Sequence, residues 1–321
     1  MQTPGFEEEM AITLVTGGAG FIGSNLVERL VERGETVRVL DDFSTGNAEN
    51  LAGLAGRVTV HRGDIRNLDE MRPIIAGANY VVHLAASTSV ARSVSDPLTC
   101  NSVNITGTLN VLLAARDAGV KRVIFAASAA AYGDHPQLPR VETQEPCPLS
   151  PYALSKVAGE YYCRLFWKLY GLETVALRFF NIFGPRQNPD SPYSGVLSTF
   201  ISSYLRGKTP AIFGDGEQSR DFTFVANVVD ATLRAVAAPE AAGRVINVGT
   251  GVPHTLNQTV ALLNKVLGRE VTPKYSPARA GDVRYSHAKI DLARSLLGYE
   301  PSVDFEEGLR RTIEWQRAAF I

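Results

Sequence analysis

The stretch TLVTGGAGFIGSNLVERL, residues 13–30, decides how the chain begins to fold. An apolar run that reads as a strand meets glycines at positions 17, 20 and 23. The run after it has apolar residues at helical spacing and ends on Gly34. Strand, glycine turn and amphipathic helix in that order suit a dinucleotide. Gly17 permits the tight turn, Gly20 the close approach of a pyrophosphate and Gly23 close helix packing, and the helix N-terminus faces the phosphates. The next strand-like run, TVRVLDD (36–42), reaches Asp41 about 20 residues on, where a carboxylate binds a ribose 2′-hydroxyl. Asp41 and Asp42 together would repel a 2′-phosphate, which favours NAD over NADP.

Working outward, RVTVHRGD (57–64), YVVHLAA (80–86), RVIFAAS (122–128) and TVALRFFN (174–181) read as further strands, with helices between them, notably over 98–118 and 152–170. Valine-rich strands with both faces apolar suit a parallel sheet covered on each side. The βα alternation predicts an α/β fold with a doubly wound, Rossmann-type parallel sheet. After residue 181 the texture changes to loops rich in Gly, Pro, Asp and Ser, such as FGPRQNPDSPYSG and FGDGEQSRDF. We expect residues 1–180 to form the dinucleotide domain and 181–321 a smaller α/β substrate domain. The two should interleave, because segments near 220–250 could return to the first.

Composition limits the function classes. The chain has 321 residues, 45% hydrophobic and 20% charged, with a net charge of -1. No basic stripe points to nucleic acid, and no apolar run approaches the ~20 residues of a membrane span. The start MQTPGFEEEM lacks the pattern of a signal peptide, and Cys100, Cys147 and Cys163 show no metal spacing, so a cytoplasmic protein with reduced thiols is expected. No metal site is expected.

Ser128 ends a strand, where an open α/β sheet places its chemistry. In SPYALSK, Tyr152 and Lys156 stand four apart and share a helix face. An ammonium beside a phenol favours the phenolate, and a tyrosine of lowered pKa can take a proton from a hydroxyl. Asp64, in GDIRN, either flanks an adenine together with Ile65 or serves as a turn carboxylate. His61 and His83 read as structural strand histidines.

The motifs TGGAGFIG, Asp41, GDI, HLAA, NITGT, Ser128, YALSK and RFFNIFGPRQ together resemble the extended short-chain dehydrogenase/reductase family over nearly the whole chain. The branch most resembled is that of the UDP-hexose 4-epimerases, acting on UDP-glucose or UDP-N-acetylglucosamine. The resemblance implies tightly held NAD, with Tyr152, Lys156 and Ser128 as catalytic residues. It adds Phe21 and Ile22, Leu84, Ala85 and Ala86, and Asn104 and Phe179 to the cofactor site. Family dehydratases carry an acidic residue just after the Ser/Thr position, and decarboxylases a glutamate. Here Ala129 and Ala130 stand there, and a methyl group transfers no proton.

For the sugar nucleotide, the resemblance implies Asn181, Arg220 and Arg279 at the diphosphate, with Arg284 an alternative to Arg279. Val196 and Asp282 join the substrate contacts, and Ser286 stands where a small residue leaves room for an N-acetyl group. A homodimer is expected from the broad apolar faces of helices 98–118 and 152–170. UDP-glucuronate epimerisation, dehydration, simple reduction and a non-catalytic NAD-binding scaffold remain the competing readings.

Overall fold

In the computed structural model, residues 11–188, 195–278 and 283–319 are described. The MQTPGFEEEM stretch, Arg279 and Asp282 lie outside them. The first half alternates strand and helix: β1 (Ile12–Thr16), α1 (Phe21–Glu32), β2 (Thr36–Asp41), β3 (Val58–Arg62), α2 (Leu68–Ile75) and β4 (Tyr80–His83). Then come α3 (Val90–Ser95), α4 (Pro97–Asn101), α5 (Gly107–Asp117), β5 (Arg122–Ser128), α6 (Pro151–Tyr170) and β6 (Glu173–Phe179). The second half has short strands: β7 (Ile182–Phe183), β8 (Ala211–Phe213), β9 (Ser219–Arg220), β10 (Thr223–Phe224), β11 (Val245–Val248), β12 (His254–Thr255), β13 (Lys274–Ser276) and β14 (Tyr285–Ser286). Its helices are α7 (Val196–Leu205), α8 (Val225–Ala237), α9 (Leu256–Leu267), α10 (Asp291–Leu297) and α11 (Phe305–Ala319).

Seven strands form one sheet in the order β11-β6-β5-β4-β1-β2-β3, every pair parallel. The runs of β1, β5 and β6 are buried on both faces, as a sheet covered by helices requires, whereas the edge strand β3 is largely exposed. The chain winds outward from β1 to β3, then restarts at β4 on the other side of β1. The carboxyl ends of β1 and β4 therefore flank a topological switch point, where a crevice opens. The edge strand β11 comes from the second half of the sequence, and α8 packs against α1 on its way there.

Helix 98–118 is interrupted: a π turn over Ser102–Thr106 separates α4 from α5. Several strands are also shorter than their apolar runs. β1 stops at Thr16 because Gly17 turns with φ +72, and β4 stops at His83, before Leu84–Ala86. The apolar residues beyond these ends line the crevice, so hydrophobicity outlasts the hydrogen-bond ladder.

α6 is fixed on the sheet by a buried bidentate ion pair. Arg178 on β6 donates from Nε and Nη2 to the two Glu160 carboxylate oxygens at 2.8 and 2.7 Å. The guanidinium also lies 4.5 Å from the Tyr132 ring centre. Gly159 permits the close approach of α6, since a Cβ there would come 2.3 Å from the Phe125 ring. Removing one partner of such a pair strands a buried charge, worth about 3–5 kcal/mol. Glu160→Ala should lose roughly that much in urea unfolding, and Glu160→Leu with Arg178→Met should recover most of it; a loss below about 1 kcal/mol in the single variant would contradict the anchoring role.

Candidate active site

A single cleft of about 1910 Å³ runs along the carboxyl ends of the parallel strands. At its first end, Gly17 comes so close to Ala85 that a Cβ would lie 2.7 Å from the Ala85 nitrogen. Gly20 is the N-cap of α1 and supplies no capping side chain, so the amides of the first turn face the cleft with no partner from the helix itself. The Gly23 Cα packs on the turn, where a Cβ would lie 2.1 Å from the Gly17 carbonyl oxygen. Asp41, buried at the end of β2, accepts from the Ala19 amide at 2.9 Å and the Phe43 amide at 2.8 Å. Burial pushes its carboxyl pKa up against those two bonds. A bare glycine cradle, an open helix N-terminus and a carboxylate beyond it together fit a dinucleotide.

Phe21, Ile22, Asp42, Leu84, Ala85, Ala86 and Phe179 line the same cleft, with Gly17, Gly20, Gly23 and Asp41. Asp64 and Ile65 line it too. Asp64 also holds its own turn: it accepts from the Arg66 amide at 2.8 Å and pairs with the Arg66 guanidinium, which keeps its pKa low. The turn reading of Asp64 is thus the one seen directly. Asn104 is not among the residues that line the cleft. It is buried one layer back, accepting from the Ser87 amide at 2.7 Å and donating to the Ser87 carbonyl and Ser155 Oγ. Ser87 is the residue at the surface of the cleft.

Deeper in, Ser128, Tyr152 and Lys156 meet. Ser128 ends β5 and its Oγ accepts from the Ala130 amide at 3.1 Å. Ser150 caps α6 and Pro151 occupies its first turn, which starts the helix just before Tyr152. The Lys156 ammonium is buried, donates to the Ala126 carbonyl at 2.7 Å, and lies 6.0 Å from the Tyr152 ring centre. Ala129 and Ala130 line the cleft beside Ser128. His83 is fully enclosed between Thr16 Oγ1 at 2.7 Å and Thr108 Oγ1 at 3.0 Å. Burial, helped by the Lys156 charge, pushes its pKa down to about 3, so it stays neutral. His61 is not among the lining residues.

The electrostatics differ from the expectation for the tyrosine. Burial raises the Tyr152 phenol pKa, and the hydrogen bond with Ser128 opposes that rise. Burial acts on the lysine as well, pulling the Lys156 pKa down to about 8.

At the far end, Asn181, Val196, Arg220 and Ser286 line the cleft. Asn181 has φ +29. Arg220 and Ser286 are paired neighbours on β9 and β14. Arg284 turns away to pair with Asp215 at 2.7 Å and is absent from the lining. Sequence reasoning missed Ser44, Asn47 and Asn50, for which the polar run after Asp42 was a usable signal. It also missed Arg186, although that residue lies within RFFNIFGPRQ, and Gln218 and Trp315, which come from distant segments.

Residues 13–249 match the NAD dependent epimerase/dehydratase family. The chain belongs to that family. It is 41% identical over 314 residues to a UDP-glucose 4-epimerase of Mycolicibacterium smegmatis, covering 95% of this chain and 98% of that one. Among solved structures, it superposes with TM-score 0.92 on the UDP-glucose 4-epimerase of Thermotoga maritima with UDP-glucose, at 40% identity, covering 97% of this chain and 100% of that one. It matches equally, with TM-score 0.92 and 39% identity, a UDP-N-acetylglucosamine 4-epimerase of Methanobrevibacter ruminantium in complex with UDP-N-acetylmuramic acid; 97% of this chain and 99% of that one are covered. The family is NAD dependent, in keeping with the glycine cradle and Asp41.

The buried lysine has a measurable signature. Its pKa is about 8 in the folded protein against 10.5 ordinarily, so between those values the unfolded chain binds more protons. Stability therefore rises with pH across that window, and the handicap is complete below it. In calorimetry of the NAD-stripped protein, Lys156→Met should melt above the wild type at pH 7. The gap should narrow from pH 8 to 10.5. A gap independent of pH would rule out a buried, charge-disfavoured lysine.

Proposed function

We propose that the protein catalyses the reversible 4-epimerisation of a UDP-hexose through a 4-keto sugar. The observation that carries this is the meeting of Ser128, Tyr152 and Lys156 beside Ala129 and Ala130 in one cleft. Held along the glycine cradle, NAD would accept the hydride from carbon 4 and return it, which is the reversible two-electron oxidation the reaction needs. Tyr152 takes the proton of the 4-hydroxyl and later returns it to the keto oxygen, while Ser128 donates a hydrogen bond to that oxygen. Lys156 lowers the phenol's proton affinity against the opposing pull of burial. Neither Ala129 nor Ala130 can remove a carbon 5 proton, so the chemistry stops at carbon 4. That favours epimerisation over dehydration.

Asn181 and Arg220 hold the diphosphate; the guanidinium fork suits phosphate oxygens. Arg279 and Asp282 would complete that end. Ser286 sets the room around the hexose. Residues 1–180, with the returning segment that ends in β11, form the NAD-binding unit, and the remainder the sugar-nucleotide unit. A cytoplasmic location suits the three unpaired thiols. A homodimer is also proposed. Leu98 on α4, 83% exposed, and Leu154, Tyr161, Leu165 and Leu169 along α6 leave an apolar face in water that two-fold pairing would cover. Sedimentation at micromolar concentration should give a dimer and Leu165→Glu a monomer; a monomeric wild type would refute the pairing.

The reaction itself is tested by incubating the protein with UDP-glucose, UDP-N-acetylglucosamine and UDP-glucuronate and resolving the epimers. Epimers should form without added NADH, and Tyr152→Phe should lower turnover about 10²–10⁴-fold with NAD retained. Ser286→Tyr should suppress any N-acetylhexosamine turnover and spare UDP-glucose. A 4-keto-6-deoxy product, or NAD binding with no turnover, would overturn the reading.

A further inference from the structure

Asp221 follows Arg220 directly but faces the opposite way. Arg220 lines the cleft, whereas Asp221 is entirely buried. Its carboxylate is held by four neutral donors. Oδ1 accepts from the Thr250 amide at 2.8 Å and from Thr250 Oγ1 at 2.6 Å. Oδ2 accepts from the Gly251 amide at 2.9 Å and the Ala288 amide at 3.1 Å. The Asp221 amide donates to the Ser286 carbonyl at 2.9 Å. The packing leaves no slack: a Cβ on Gly249 would lie 2.7 Å from Oδ2.

These bonds join three pieces of chain. Thr250 and Gly251 turn directly out of β11, the edge strand of the parallel sheet. Ala288 follows β14, which carries Ser286, and Asp221 follows β9, which carries Arg220. β9 and β14 pair over only two residues each, Tyr285 with Ser219 and Ser286 with Arg220, so their own ladder holds them weakly. A buried carboxylate is tolerable only when fully hydrogen-bonded, and its charge-assisted bonds are stronger than the neutral bonds of a short ladder.

We propose that Asp221 is a positioning residue: it locks Arg220 and Ser286 to the sheet that carries Ser128, and so sets the distance between the diphosphate end and the reacting carbon. The proposal rests on the reading that Arg220 holds the diphosphate. A carboxylate is required because an asparagine would turn an amide NH2 toward donors on one side.

The test uses the full chain with NAD bound and UDP as the probe, in titration calorimetry. Asp221→Asn should weaken UDP at least about tenfold, since hydrogen bonds to charged groups carry energies of that order. It should raise the KM for the UDP-hexose more than it lowers kcat, with NAD content unchanged. In an Arg220→Ala background, adding Asp221→Asn should change UDP affinity little, because Asp221 acts through Arg220. Thr250→Val, which removes one donor and perturbs folding less, should weaken UDP in the same direction by a smaller factor. Unchanged UDP affinity in both Asp221→Asn and Thr250→Val would overturn the proposal. So would an equal loss with and without Arg220, which would mark Asp221 as a fold residue only. If Arg220→Ala itself leaves UDP affinity unchanged, the diphosphate reading fails, and the positioning role fails with it for that distinct reason.

Discussion

The bidentate pair between Glu160 and Arg178 joins α6 to β6 inside the protein, and the site depends on that junction. α6 carries Tyr152 and Lys156, whereas Ser128 sits at the end of β5. Two separate elements, a strand and the helix that follows it, must bring three side chains to one place. Gly159 lets the helix descend onto Phe125, and the Lys156 bond to the Ala126 carbonyl ties the ammonium to β5 itself. Helix position, lysine position and serine position are therefore one geometric fact. A buried ion pair is an unpromising way to gain stability, since desolvation offsets its attraction. Its use here is better understood as fixing a register.

The same burial that fixes the lysine makes it reluctant to be charged. A Lys156 pKa near 8 and a phenol raised by burial set the two groups apart, so proton exchange from Tyr152 to Lys156 runs uphill. His83, next in the sheet, is kept out of this exchange because it is enclosed between two threonine hydroxyls and stays neutral. Ala129 and Ala130 put no acid in the two positions after Ser128. A site able to move one proton at one carbon is made as much by these exclusions as by the reactive groups.

The cleft is one continuous space because the sheet switches direction at β1 and β4 while its far wall comes from the short strands β9 and β14. The glycine turn lies near the start of the chain and Ser286 near its end. A cleft that spans both ends has room for a sugar nucleotide lying beside a dinucleotide.

The residues alone determined the alternating βα order, the glycine cradle with Asp41, and the Tyr152–Lys156 face. Each is a local pattern, set by strand period, helix period or the freedom of glycine. The exclusion of acids after Ser128 was equally local. Strand ends were less legible: apolar residues such as Leu84 and Ala85 continue past the ladder to line the cleft, and hydrophobicity does not distinguish a core from a binding wall. Only the tertiary structure placed Asn104 behind Ser87, turned Arg284 away to Asp215, and brought Trp315 to the cleft. It alone showed that burial raises the Tyr152 phenol pKa. Desolvation depends on everything packed around a group, and no spacing along the chain encodes that.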